Sequence, residues 1–216
     1  MFGIDKSKIK PFGIPRLDNF LNKEKILLSI NKTYNMNPNL KSKKVILFAP
    51  TYRGQDQTVA FYDINQLDLD KIYQFCLKNN FIFIIKMHPF IKKRVNISEK
   101  YKEIIKDYSA ENINDLMYVS DILITDYSSC AYEFSMLQRP IIFFRYDKTQ
   151  YEFDRPMHGL NNIKGTETTN FNDLMHELNN LKNIDIIKRL SNIPDDKNRN
   201  STKKIIKLIE KELNHS

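Results

Sequence analysis

Short runs of β-branched and aromatic residues alternate along the chain with stretches whose apolar residues recur every three or four positions. That rhythm belongs to βαβ units wound around a parallel sheet. Residues 45–49 read as a buried strand, closed by Pro50 and a turn through Gly54. Residues 67–80 place Leu67, Leu69, Ile72, Phe75 and Cys76 on one helical stripe, which Asn79-Asn80 stops. A second strand covers 81–87, apolar except for Lys86, and His88-Pro89 breaks it. A short helix over 114–119 leads into a third strand over 121–125. Asp126-Tyr127-Ser128-Ser129 then opens a helix to about Gln138; Arg139-Pro140 ends it, and 141–144 form a fourth strand. A polar, turn-rich stretch fills 147–165, with helices expected near 171–181 and 201–213. The last carries Ile205, Ile206, Ile209 and Leu213 on a side suited to docking back on the globule. The expected fold is α/β: a Rossmann-like, doubly wound parallel sheet over residues 45–216, preceded by an irregular segment, residues 1–44.

Composition supports a folded globule, with 41% hydrophobic and 12% aromatic residues in a chain of 216. The longest apolar runs, 81–85 and 141–144, fall far below the ~18 residues that cross a bilayer. The first residues lack the apolar core of a signal peptide. Two cysteines make no disulfide framework, no Cys/His spacing suggests zinc, and a reducing cytosol is the expected compartment. Cys76 and Cys130 read as small apolar side chains.

Charge changes the picture more by its distribution than by its total. The net charge is +8, yet residues 1–44 hold ten Lys/Arg against three Asp/Glu, while the remainder is nearly balanced at 24 against 23. This basic N-terminal segment is either a solvated surface or one drawn to an anionic membrane or a polyanionic substrate. It lacks interleaved aromatics and no nucleic-acid module appears, so nucleic acid is not an expected partner.

In open parallel sheets, ligands bind outside the carboxyl ends of the strands. The polar residues at such ends are Thr51 and Arg53, then His88, then Asp126, Ser128 and Ser129. Ser128-Ser129, at a strand-to-helix turn, form either a phosphate seat or an ordinary N-cap worth ~1 kcal/mol. No glycine-rich P-loop or G-x-G-x-x-G is present, so neither ATP nor NAD is suggested and no cofactor is expected. His88 either bonds a phosphate oxygen or acts as general acid, or merely closes the strand end. Lys86 either serves as a phosphate ligand or, as expected, reaches past the strand end into solvent. Arg53 either clamps an anion or is a solvated loop arginine. His158 is a weaker candidate, and His176 and His215 read as surface residues. Asp121, Asp126 and Glu133 straddle strand, turn and helix; Asp121 is expected to open the strand and Asp126 to shape the turn, with no metal.

Five segments occur in one order: Ile14-Pro15-Arg16-Leu17-Asp18, residues 47–53, Lys86-Met87-His88-Pro89, residues 120–129 and residues 139–144. Over about residues 10–160 the chain thereby resembles the C-terminal half of the CDP-glycerol:poly(glycerophosphate) glycerophosphotransferases, which build teichoic acids and related capsules. The resemblance implies a GT-B-like pair of Rossmann lobes, of which this is the donor-binding one. It implies donor contacts from Arg16, Pro50, Thr51, Met87, His88, Pro89, Ser128 and Ser129, with His88 important for transfer. Glu133 stands where the family usually has Asp, four positions beyond the second serine, and its contact with sugar or glycerol hydroxyls is expected on that basis. Arg53 and Asp126 complete the candidate CDP-glycerol contacts. The implied reaction is attack of an acceptor hydroxyl on the β-phosphorus of CDP-glycerol with loss of CMP. The implied acceptor is an anionic glycerol-phosphate polymer or lipid-linked primer, at the cytoplasmic face of the membrane. Family members also carry a Trp-His-Gly segment upstream of the Pro-Arg motif, whereas this chain has no Trp. Little or no turnover by the isolated chain is therefore expected. Two other readings stay open: a UDP-type glycosyltransferase or epimerase lobe, and a non-catalytic domain associated with membranes.

Overall fold

The computed structural model describes residues 4–154, 162–185, 193–196 and 200–214. Its sheet contains six strands: β1 (Lys44–Phe48), β2 (Phe81–Ile85), β3 (Ile105–Asp107), β4 (Ile122–Thr125), β5 (Ile141–Phe144) and β6 (Thr166–Thr168). They lie in the order β3-β2-β1-β4-β5-β6, and all five pairings are parallel. This is the doubly wound Rossmann order, in which the chain reverses direction across the sheet between β1 and β4.

Side chains alternate across the sheet, so each strand feeds two cores. Val45, Leu47, Ile82, Ile84, Leu123, Ile141 and Phe143 face one layer, and Ile46, Phe48, Phe81, Phe83, Ile85, Ile122 and Phe144 face the other. The first layer is covered by α1 (Lys23–Met36), α3 (Ile113–Val119) and α4 (Cys130–Ser135); the second is covered by α2 (Leu69–Asn79) and α6 (Phe171–Asn180). Burial on both faces explains why these strands read as continuous apolar runs. Two further helices are α5 (Lys148–Asp154) and α7 (Ser201–Leu213).

Local signals act where the chain turns. Asp68 caps α2 by accepting from the Lys71 amide, and Asn80 ends it in the left-handed region at φ 60°. Asp121 sits at the start of β4 and accepts from the Val45 amide at 2.7 Å, as expected of a residue opening the strand. The free thiols are buried, and desolvation pushes Cys76 to about 12 and Cys130 to about 11.

Several elements depart from the sequence reading. The expected irregular segment contains α1, a helix of 14 residues, whose Ile26 and Ile30 join Phe20 and Leu40 in the first core. Both β3 and β6 have only three residues and lack apolar runs of their own. The helix expected to run to Gln138 stops after six residues, and Gln138 turns the chain with φ 54°. Part of the turn-rich stretch forms α5, and His158 and His215 lie outside the described residues. Finally, α7 buries none of its residues: Ile206, Ile209 and Leu213 remain about half exposed or more. It is held at its N-terminus instead, where Asp18 accepts from the Ser201 and Thr202 amides at 2.9 Å each.

Candidate functional site

The reversal between β1 and β4 opens a groove at the carboxyl ends of the strands, with a volume of about 390 Å³. Three strands adjacent in the sheet contribute their ends: Ala49 and Pro50 after β1, Lys86 to Pro89 after β2, and Ser128 to Cys130 after β4. Glu111, Asn112 and Ile113 close it from the turn between β3 and α3, and Arg16 comes in from the N-terminal segment. Seven of the expected donor contacts thus converge: Arg16, Pro50, Met87, His88, Pro89, Ser128 and Ser129.

Strand parity places the polar groups on one wall. Ile82 and Ile84 face the core beneath the groove, so Lys86 and His88, two and four residues on, follow the same side. The His88 ring clusters with Tyr52 and Phe90, with centroids 4.9 and 4.7 Å away, and those two rings also touch each other at 5.3 Å. Its Nδ1 accepts from the Phe90 amide at 3.2 Å, so the neutral ring carries its proton on Nε2. Burial, and then the positive charge of Lys86, lower its pKa below the usual 6.5. His88 therefore lines the groove as a neutral imidazole whose donor N–H is on Nε2.

Lys86 corrects an expectation: rather than reaching into solvent it is 8% exposed, and its ammonium donates to the Ser109 carbonyl at 2.7 Å. Burial lowers its pKa, opposed by the charges of Asp107 and Glu111. Ser128 receives the Cys130 amide on its hydroxyl at 3.4 Å, and Ser129 makes no capping hydrogen bond. With only six residues behind them, the two serines offer hydroxyls and local amides more than a helix dipole.

Arg53 stands apart from this groove. Its Nε and Nη2 grip Asp147 at 2.5 and 3.0 Å, Nη2 also lies 2.9 Å from Asp126, and Nη1 donates to the Thr51 carbonyl. Tyr62, Tyr127, Tyr146 and Tyr151 surround the guanidinium with ring centroids 4.9 to 5.6 Å away. Burial opposes its charge, but the Asp147 hydrogen bonds and both carboxylates outweigh it and raise the pKa further. The side chain expected to clamp an anion is thus saturated by carboxylates of the chain itself, and it braces the loops after β1, β4 and β5.

Asp126 shapes the turn as expected, accepting from the Thr51 and Tyr127 amides at 2.8 and 2.6 Å, and neither Asp126 nor Thr51 lines the groove. Glu133 is also outside the lining, buried and paired with Arg16 at 2.9 Å. Asp121 and Asp126 flank β4 at its opposite ends, roughly 16 Å apart at strand rise, so the acidic trio does not converge.

Sequence reasoning missed Glu111, Asn112 and Ile113, because β3 is too short and polar to announce the turn that follows it. One signal was present: Asn112 stands two residues before a helical run and caps α3, accepting from the Asn114 amide at 2.8 Å.

With this geometry in view, the chain compares closely with known proteins. Residues 1–211 match the model of the CDP-Glycerol:Poly(glycerophosphate) glycerophosphotransferase family. A teichoic acid poly(ribitol-phosphate) polymerase of Bacillus spizizenii is 43% identical over 151 residues, covering 69% of this chain and 24% of that protein. A teichoic acid glycerol-phosphate primase of Bacillus subtilis is 34% identical over 195 residues, covering 88% of this chain and 48% of that one. A variant of the wall teichoic acid polymerase TagF, soaked with CDPG, superposes with a TM-score of 0.72 at 26% identity, over 98% of this chain and 54% of that chain. The chain spans about half or less of the length of these relatives. It belongs to the CDP-glycerol:poly(glycerophosphate) glycerophosphotransferase family.

Proposed function

We propose that this chain binds CDP-glycerol in the groove between β1 and β4. There it serves transfer of glycerol phosphate to a teichoic-acid-like or capsular acceptor, with release of CMP. The observation that carries the reading is the convergence of Arg16, His88, Ser128 and Ser129 on one groove in a member of this family. A diphosphate needs donors from several directions, and cation, imidazole N–H and two hydroxyls supply them.

In the transfer, an acceptor hydroxyl oxygen bonds the β-phosphorus while the bond from that phosphorus to the bridging oxygen breaks. The electron pair leaves with CMP, and the hydroxyl proton passes to a base. Catalysis of this kind is mostly positioning and charge stabilisation. The neutral His88 suits a hydrogen-bond donor to the phosphate oxygens. Lys86 adds positive potential from beneath. The resemblance of the chain to a ribitol-phosphate polymerase at 43% identity favours one second reading, a CDP-ribitol donor in the same groove.

Isothermal titration against CDP-glycerol, CDP-ribitol and UDP-GlcNAc tests both. The expected result is binding of a cytidine compound, weakened about tenfold in His88→Ala, the worth of one hydrogen bond to a charged group. Preference for the UDP compound would overturn the reading.

No described helix is long and apolar enough to cross a membrane. The proposal includes a peripheral site of action at the cytoplasmic membrane face. In the N-terminal segment, exposed Ile4, Ile9 and Ile14 are interspersed with Lys6, Lys8 and Lys10, a mixture suited to an anionic lipid surface.

A further inference from the structure

Glu133 is a carboxylate with 6% exposure on α4, and a charge so enclosed is costly unless it is partnered. Its partner is Arg16, through Nε and Oε1 at 2.9 Å. The other carboxylate oxygen, Oε2, is enclosed by protein and accepts no hydrogen bond among the described residues. A ligand hydroxyl cannot reach an enclosed atom without rearrangement, which argues against direct contact between Glu133 and the donor. Arg16 is anchored a second time, Nη2 donating to Asn114 Oδ1 at 3.0 Å. The two anchors stand on α4 and α3, whose N-terminal turns both border the groove. The Arg16 side chain, about half exposed, is thereby slung between two helices and lines the groove. A free arginine loses considerable rotamer freedom when it grips an anion, and an arginine already fixed does not.

We infer that Glu133, together with Asn114, is a positioning residue that holds the Arg16 guanidinium ready for the anionic part of the ligand. The inference rests on the donor-binding reading above, since it assigns the groove a phosphate-bearing ligand. Two effects of Glu133 oppose each other: it orients Arg16, and its negative charge repels an anion. The geometry, with the carboxylate buried behind Arg16 and outside the lining, makes orientation the larger.

The test is isothermal titration of the whole chain with pyrophosphate, which has no sugar or glycerol hydroxyls, and with CDP-glycerol. Glu133→Ala is expected to weaken both about tenfold, because Arg16 loses a charged hydrogen-bond partner. Glu133→Gln keeps an acceptor for Nε and is expected to recover most of that loss. Arg16→Ala with Glu133→Ala is expected to bind no more weakly than Arg16→Ala alone. Weakening of CDP-glycerol with pyrophosphate unaffected would overturn the inference in favour of a direct hydroxyl contact. Additive losses in the double variant, or equal damage from Gln and Ala, would overturn it too. If Glu133→Ala does not fold, Asn114→Ala removes the other anchor and must show the same loss for both ligands. Should pyrophosphate follow this pattern while CDP-glycerol does not bind, the donor reading falls and the positioning role stands. Should the wild-type chain bind neither, both fall.

Discussion

His88 shows how one residue inherits its chemistry from its surroundings. The strand end supplies its place, the Phe90 amide its tautomer, and burial with Lys86 its low pKa. A histidine whose folded pKa lies below 6.5 adds stability that is present above that pH and drains away as pH falls through the folded value. An NMR titration of the ring is expected to show a midpoint below 6.5, moving upward in Lys86→Gln and on binding pyrophosphate. A midpoint at or above 6.5 would contradict this account of the site. His88 was legible in the sequence because a polar residue after an apolar run marks a strand end. The fate of Arg53 was not, because its partner Asp147 lies 94 positions further on and only the fold brings them together. Lys86 was misjudged for the same reason: its acceptor, the Ser109 carbonyl, belongs to the turn after β3.

Among the elements, the two terminal helices invert what their patterns promise. The apolar residues of α1 form a narrow stripe among lysines and asparagines, yet Ile26 and Ile30 are fully buried because α3 lies against them. In α7 the amphipathic pattern is stronger, yet none of its residues is buried, and only Ser201, Ile205 and Leu208 are half-buried. Its attachment runs through Asp18, which accepts from two amides and the Thr202 hydroxyl, next to Gly13, which has a φ of 93° and where a Cβ would meet the Ser201 hydroxyl at 2.5 Å. Asp18→Ala is expected to cost ~1 kcal/mol of local stability, the usual worth of a lost cap. Hydrogen exchange should quicken at the start of α7 with the sheet amides unchanged; uniform exchange throughout would show that α7 is not held there. Helix and strand periods were readable wherever a face was broad. The three-residue strands β3 and β6 were not, since the sheet edges recruit them by backbone pairing to β2 and β5.

At the scale of the molecule, the strand order decides where chemistry is possible. A reversal between β1 and β4 leaves a crevice, and the first, second and third strand ends of the sequence reading all open into it. The proposed membrane surface belongs to this scale as well, because it draws on charge spread over the N-terminal segment. Co-sedimentation with phosphatidylglycerol vesicles is expected at low salt, to fall as salt rises, and to weaken when Lys6, Lys8 and Lys10 are changed together to Gln. Absence of binding to these vesicles at low salt would remove the membrane from the proposal.

The order of residues by itself determined the alternation of strand and helix, the parallel sheet, and the strand ends where polar side chains gather. Those are local consequences of period and composition. Only the tertiary structure decided that Arg16, His88 and the serine pair share a groove while Arg53 is bound to Asp126 and Asp147. Which of several polar side chains meets a ligand depends on which carboxylates and carbonyls fold against it first, and those partners lie far away along the chain.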